Sequence, residues 1–310
     1  MPVPATFEVY PHGKLLLSAE YFVLDGALAI ALPTKLGQSF RVESLEEDNL
    51  IIWKSFANDG NCWFEGKFSL FPLKILHTNS LAIAQRLLDL LTSIQNKKPG
   101  IWNNGSAFLI ETRMEFPMQW GLGSSSTLVS ALAQWTETDP YQLLAKTFGG
   151  SGYDLACAQA KGPIFYQKRK EQAAFVDLPF QPSFRDQLYF VYLGKKQNSR
   201  EGIARYRALG GVNEDLVQQI NQLSLKMANA TSISDFETLI REHETLVSQC
   251  LKLERAKNLY FNNFPGEIKS LGAWGGDFVL ATSPLPPAET KNYFQQKGFE
   301  TILNYAELIL

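Results

Sequence analysis

A chain of 310 residues is too long for one ordinary core and suits two. With 45% hydrophobic and 19% charged residues it reads as a soluble globular protein. Its net charge of −2 argues against a nucleic-acid partner, which would bring a basic excess gathered into a patch. The basic run Lys168-Arg169-Lys170 is short and reads as a solvated turn. Cys62, Cys157 and Cys250 are odd in number and far apart, so reduced, mostly buried thiols are expected rather than a disulfide framework or a metal site. No apolar run reaches the roughly 20 residues of a bilayer span. The opening MPVPATFEVYPHGK has no apolar core, so a signal peptide is not expected and the protein is placed in the cytoplasm.

In chain order, Phe7–Tyr10 and Lys14–Leu17 read as strands, and Gln38–Glu43 as another after the turn signals Pro33 and Gly37. Residues 50–68 resemble a hairpin with Asn58-Asp59-Gly60-Asn61 at its tip, and residues 74–95 carry a helical apolar period. Within 106–116, Phe108, Ile110, Met114 and Phe116 alternate with Glu111, Arg113 and Glu115, the pattern of a half-buried strand. Pro117 ends it, a glycine-serine loop follows, and TLVSALAQW reads as a buried helix. Further on, 173–178 and 188–193 are strand-like, and 213–229 and 234–256 are amphipathic helices. A strand over 277–282, a helix over 287–297 and a last strand over 299–310 complete the chain. His12, His77 and His243 have no metal spacing, and His243, flanked by glutamates, reads as a surface residue. The order of elements predicts two α+β domains, 1–170 and 171–310.

The loop Gly121-Leu122-Gly123-Ser124-Ser125-Ser126 between strand and helix has a physical meaning. Glycine admits left-handed backbone and close approach of a phosphate, and the first amides of a helix lack partners inside it. With the helix dipole these make an anion site, to which serine hydroxyls add. A Walker A loop needs GxxxxGK followed by Ser or Thr, which is absent, and Ser126 stands where a Rossmann fingerprint needs its third glycine. A serine-rich helix cap after a turn remains the competing reading.

Three further segments set the loop in a family context. Gly13-Lys14-Leu15-Leu16-Leu17-Ser18-Ala19-Glu20-Tyr21, the loop at 121–126, Ser151-Gly152-Tyr153-Asp154-Leu155-Ala156, and Lys269-Ser270-Leu271-Gly272-Ala273-Trp274-Gly275-Gly276-Asp277 occur in this order. Together they resemble the GHMP kinases, which include galactokinase, homoserine kinase, mevalonate kinase and phosphomevalonate kinase. Glu20-Tyr21 and Gly275-Gly276-Asp277 are similar to the phosphomevalonate kinase branch, and Gly-Tyr-Asp-Leu-Ala is similar to the motif for which a bacterial subgroup is named. The resemblance implies an α+β, two-domain GHMP kinase fold. Its N-terminal nucleotide-binding domain would be ribosomal S5 domain 2-like, and its C-terminal domain ferredoxin-like with added helices. It also implies ATP with Mg²⁺, and a small-molecule substrate (mevalonate or phosphomevalonate), on a monomer or homodimer with no membrane or nucleic-acid partner.

By the same resemblance Lys14 is a cation beside the transferred phosphoryl group and Asp154 the catalytic carboxylate. An outward strand lysine and a helix-start aspartate are the structural alternatives. Gly121, Leu122, Gly123, Ser124, Ser125 and Ser126 would hold the phosphates, with Ser125 a ligand of Mg²⁺. Glu20, Ser199, Arg200, Gly272, Ala273, Trp274, Gly275 and Gly276 would line the acceptor; Glu20 equally fits a structural role, Arg200 an exposed helix start, and the glycines an ordinary turn. Two positions depart from the family. Leu143 stands where mevalonate kinases carry a magnesium-binding glutamate, and Trp274 where the third motif usually has glycine. A non-catalytic nucleotide or metabolite sensor and a diphosphomevalonate decarboxylase-like enzyme are the alternatives, the latter disfavoured by Lys14.

Overall fold

The computed structural model describes residues 4, 6–102, 105–169, 172–197, 199–211 and 213–310, with backbone alone at Arg169, Gln172 and Ser199. The chain opens with β1 (Thr6–Val9), β2 (His12–Leu16), β3 (Ala29–Ser44), β4 (Leu50–Phe56), β5 (Cys62–Leu70) and β6 (Leu73–Thr78). Then come α1 (Leu81–Lys97), β7 (Ala107–Met114), α2 (Ser124–Thr136), α3 (Pro140–Thr147) and α4 (Tyr153–Gln159). They are followed by β8 (Ile164–Arg169), β9 (Gln172–Asp177), β10 (Leu188–Tyr192), α5 (Ser199–Ala208), α6 (Glu214–Ala228) and α7 (Ile233–Leu251). The chain closes with α8 (Ala256–Tyr260), β11 (Ile268–Ser270), β12 (Phe278–Thr282), α9 (Pro287–Gln296), β13 (Ile302–Asn304) and α10 (Tyr305–Leu308).

Contacts divide the chain into two units. The first takes the residues before Lys14, Leu36–Met118 and Gly123–Gln159, and the second Lys14–Lys35, Gln119–Leu122 and Ala160–Leu310. Residues 170 and 171, where the sequence boundary falls, lie outside the described residues. In the first unit the strands run β6-β5-β4-β7-β3 with β1 also on β3, and β4 and β7 are parallel. Their apolar alternation faces α1 to α4, and Phe40, Trp53, Phe64, Phe68, Trp102, Ile110 and Trp135 form the core between. In the second unit β11-β12-β10-β13 make an antiparallel sheet, whose side chains Val191, Val279 and Ile268 pack with Phe261, Phe264 and Phe294. A mixed α+β fold with a larger mixed sheet and a smaller antiparallel one results.

Four expectations about elements need correction. Pro33 and Gly37 do not end a strand: both lie inside β3. Pro33 falls after the last β8 pair at Ala31 and before the first β7 pair at Gln38, where a missing N–H costs no bond in either ladder. Gly37 is there because a Cβ would run into the Pro11 carbonyl and the Tyr10 ring, a close approach rather than a turn. Residues 74–78 are strand, paired through Ile75 and Phe68, and the helix begins only after the extended Ser80. The last strand is confined to Ile302–Asn304, because Asn304 and Glu307 form a capping box that starts α10. Among the thiols only Cys157 is fully buried, and Cys62 is exposed.

Candidate active site

In the second unit, alternation along β2 leaves Lys14 half-buried, with its backbone N–H donating to the Leu122 carbonyl at 3.0 Å. Its ammonium donates to the Gly121 carbonyl at 2.7 Å, so the lysine is tied to the glycine loop. Asp277 closes on the same glycine. A Cβ on Gly121 would collide with the Asp277 carboxylate, and Gly121 also holds a left-handed φ of 68°, so two constraints demand glycine. Asp277 Oδ1 accepts from the Gln197 N–H at 3.0 Å. Burial pushes the Asp277 carboxyl up, while Lys14, that N–H and Lys196 pull it back. Sequence reasoning placed Asp277 in the third motif without giving it a task. Its own left-handed φ of 52° aims the carboxylate at the loop, which the motif did not disclose.

The Gly272–Gly276 loop lies against the segment after β10. Gln197 Nε2 donates to the Gly275 carbonyl at 2.9 Å, and a Cβ on Gly276 would meet Gln197 and the Lys195 carbonyl. Ala273 is half-buried, and Trp274, at φ 30°, is 4% exposed with its indole N–H unpartnered. The indole is therefore packed into the protein. Arg200 is exposed in the first turn of α5, and the side chain of Ser199 lies outside the described residues.

Glu20 is wholly buried. Its Oε1 accepts from Lys269 Nζ at 2.5 Å, and Lys269 also stands 3.6 Å from Glu244. Such burial favours the structural role over direct contact with an acceptor. The Glu20 carboxyl is pushed up to about 7 by burial, against the pull of Lys269. His243, expected at the surface, is instead fully buried beside this pair. It and Glu244 fall on the apolar stripe of α7 with Phe236, Ile240, Val247 and Leu251, a spacing that outweighs the flanking glutamates. Its Nε2 accepts from the Ala19 N–H at 3.0 Å and its pKa is lowered by burial and by Lys269, so the 3.4 Å approach of Glu20 is to a neutral ring.

In the first unit, Gly123 at φ 96° stands before α2 and no side chain caps that helix. Ser126 is buried and donates to the Gly123 carbonyl at 2.7 Å, so its hydroxyl is used internally. Ser124 is half-buried and Ser125 exposed. Asp154 lies half-buried in the first turn of α4, which packs on α2, and its Oδ1 accepts from the Leu155 N–H at 3.1 Å. The Tyr141 hydroxyl is pushed up to about 12 by burial and then by the Asp154 charge. Leu143, at the position of the family's glutamate, is part of the hydrophobic core.

No protein-family model matches the sequence, and no curated protein matches it. Solved structures do. The phosphomevalonate kinase of Streptococcus pneumoniae, solved with phosphomevalonate and AMPPNP, superposes with a TM-score of 0.70 at 16% identity, over 96% of this chain and 99% of that one. The mevalonate kinase of L. major, with R-mevalonate, gives 0.67 at 15% identity over 100% and 98%. The Lin0012 protein of Listeria innocua gives 0.70 at 15% identity over 96% of each chain. The chain has the two-domain α+β fold of the GHMP kinases, and in that fold it resembles the phosphomevalonate and mevalonate kinases.

Proposed function

We propose that this protein is an ATP-dependent kinase that phosphorylates a small acid of isoprenoid synthesis, phosphomevalonate or mevalonate, in the cytoplasm. The observation that carries the reading is the bond from the Lys14 ammonium to the Gly121 carbonyl, which fixes a cation on the glycine loop. ATP fits the residues present. Gly123 leaves the first amides of α2 without a side-chain cap, and the Ser125 hydroxyl beside them is exposed. Mg²⁺ has no nest of its own, because the described residues hold no group of three or more ligating His, Cys, Asp or Glu. It would arrive on the nucleotide with Ser125 as a protein ligand, a mode consistent with the waters Mg²⁺ keeps.

When bound, ATP supplies the phosphoryl group and Mg²⁺ offsets its charge. The chain's own contribution is positioning and electrostatics. The amides of residues 123–126 hold phosphate oxygens, and Lys14 stabilises charge on the group in transfer. Asp154 takes the proton of an alcohol acceptor or orients the oxygen of a phosphate acceptor, the new P–O bond forming as the bond to ADP breaks. Gly272–Gly276 and Arg200 would face the acceptor, Arg200 by bidentate pairing with a carboxylate or phosphate. Phosphorus NMR of ATP mixed separately with phosphomevalonate and mevalonate tests the reading: a phosphorylated acid is expected with one of the two, and free phosphate as the sole product with both would refute it.

Leu143 in the core and the buried Trp274 favour a second reading, a nucleotide sensor without turnover. ATP binding by calorimetry with no phosphoryl transfer to either acid would select it. Under both readings Gly121→Ala should abolish ATP binding by calorimetry, since its Cβ takes the place of the Asp277 carboxylate and its φ of 68° strains alanine by roughly 1–3 kcal/mol.

A further inference from the structure

The turn after β2 carries two left-handed residues that are not glycine, Ala19 at φ 65° and Tyr21 at φ 64°, one on each side of Glu20. Such backbone is strained for any residue but glycine and persists only where its surroundings over-determine it. Here they do. His243 of α7 accepts from the Ala19 N–H at 3.0 Å, and Lys269 of β11 holds the Glu20 carboxylate. Lys269 is held in turn by the Ser270 carbonyl at 3.1 Å, and the Ser270 hydroxyl donates to Glu244 at 3.1 Å. Ser18 contacts Ser224 of α6 at 2.8 Å, and Asn221 of α6 accepts from the Leu28 N–H at 2.7 Å.

All of this fastening ends at one side chain. The Tyr21 side chain is buried: its ring stacks on Tyr206 with centroids 5.6 Å apart, and its hydroxyl lies against α5 at Gly202, where a Cβ would meet it. Burial pushes that hydroxyl up to about 12, with the Glu20 charge adding, Arg205 opposing and Asp277 adding a smaller share. Asp277 is the carboxylate against Gly121, and α5 begins with the Ser199-Arg200 pair expected at the acceptor. The strained turn thus seats a buried phenol against α5, the helix whose start the kinase reading assigns to the acceptor.

We propose that the buried quartet Glu20, His243, Glu244 and Lys269 is a positioning device that holds the Ala19–Tyr21 turn so that Tyr21 seats α5, the helix that opens with Arg200, for the acceptor. His243 is its positioning residue on α7. The proposal rests on the kinase reading for its effect on substrate, and on the geometry alone for its effect on the turn. It follows that loosening His243 weakens acceptor recognition and leaves nucleotide recognition in place.

The test compares His243→Leu, which cannot accept the Ala19 N–H, with His243→Gln, whose side-chain oxygen can. Deuterium exchange of the segment 14–26 is read beside the KM for phosphomevalonate and for ATP. In His243→Leu, exchange in 14–26 is expected to quicken roughly tenfold with β10 and β12 still protected. The acceptor KM is expected to rise roughly tenfold and the ATP KM to move less than about twofold, with His243→Gln close to wild type in both. Unchanged exchange in His243→Leu, equal rises in both KM values, or a glutamine variant as impaired as the leucine variant would overturn the proposal. Should the leucine variant not fold, His243→Asn, too short to reach Ala19, takes its place. Wild-type protein that turns over no acceptor sinks the kinase reading instead, and the exchange comparison then decides the clamp by itself.

Discussion

Replacing Asp154 with alanine should lower kcat by roughly 10²-fold or more, with the KM for ATP little changed. The carboxylate lies in the first turn of α4, its Oδ1 bonded to the Leu155 N–H, and the helix packs on α2 with Leu155, Ala156 and Cys157 buried. Its removal leaves that packing intact, so the loss should register in turnover and not in folding. Lys14→Met is the complementary change. It removes the donor to the Gly121 carbonyl and the cation that draws the Asp277 carboxyl downward. A loss of roughly 10²-fold in kcat is expected again, now with weaker ATP binding, since the ammonium serves the phosphate loop itself. Steady-state kinetics on the two variants test the proposed separation of roles, Asp154 in the chemical step and Lys14 in both binding and chemistry.

Lys269→Met should cost about 3–5 kcal/mol of stability, the penalty for leaving buried charges without their partner. Lys269, Glu20 and Glu244 are all fully buried, and the lysine is the cation within 4 Å of both carboxylates. Urea unfolding measures the loss as a lower midpoint, and Lys269→Met with Glu20→Gln should recover part of it. The same cluster gives a pH signature. Burial raises the Glu20 carboxyl from its ordinary 4.5 to about 7, so in that interval the folded protein keeps a proton that the unfolded chain releases. The stabilisation is complete below about pH 4.5 and is lost as pH rises through about 7. Glu20→Gln lacks this titration, so its deficit against wild type should be smaller at pH 8 than at pH 5.

What could be read in the sequence follows from which signals are local. The alternation of Phe108, Ile110 and Met114 fixed β7, and the Asn213 start fixed α6, because both patterns reside in consecutive residues. The glycine loop was legible for the same reason: left-handed φ values at Gly121 and Gly123 are what those glycines announce. The reason for Gly37 was not legible, since the pressure on it comes from Tyr10 and Pro11, more than twenty residues away along the chain. The quartet was missed on a wider scale, for its members lie on β11, α7 and the turn after β2. His243 carried a usable signal in its place on the apolar stripe of α7, masked by the two glutamates beside it. Asp277 was named with its motif, and only the folded chain brings its carboxylate against Gly121.

The most direct measurement is acceptor-dependent release of ADP, with phosphomevalonate and mevalonate offered separately to wild-type protein and to Asp154→Ala. The expected result is release with one of the two acids that falls roughly 10²-fold in the variant. Binding of ATP without acceptor-dependent ADP from either acid would contradict the kinase reading.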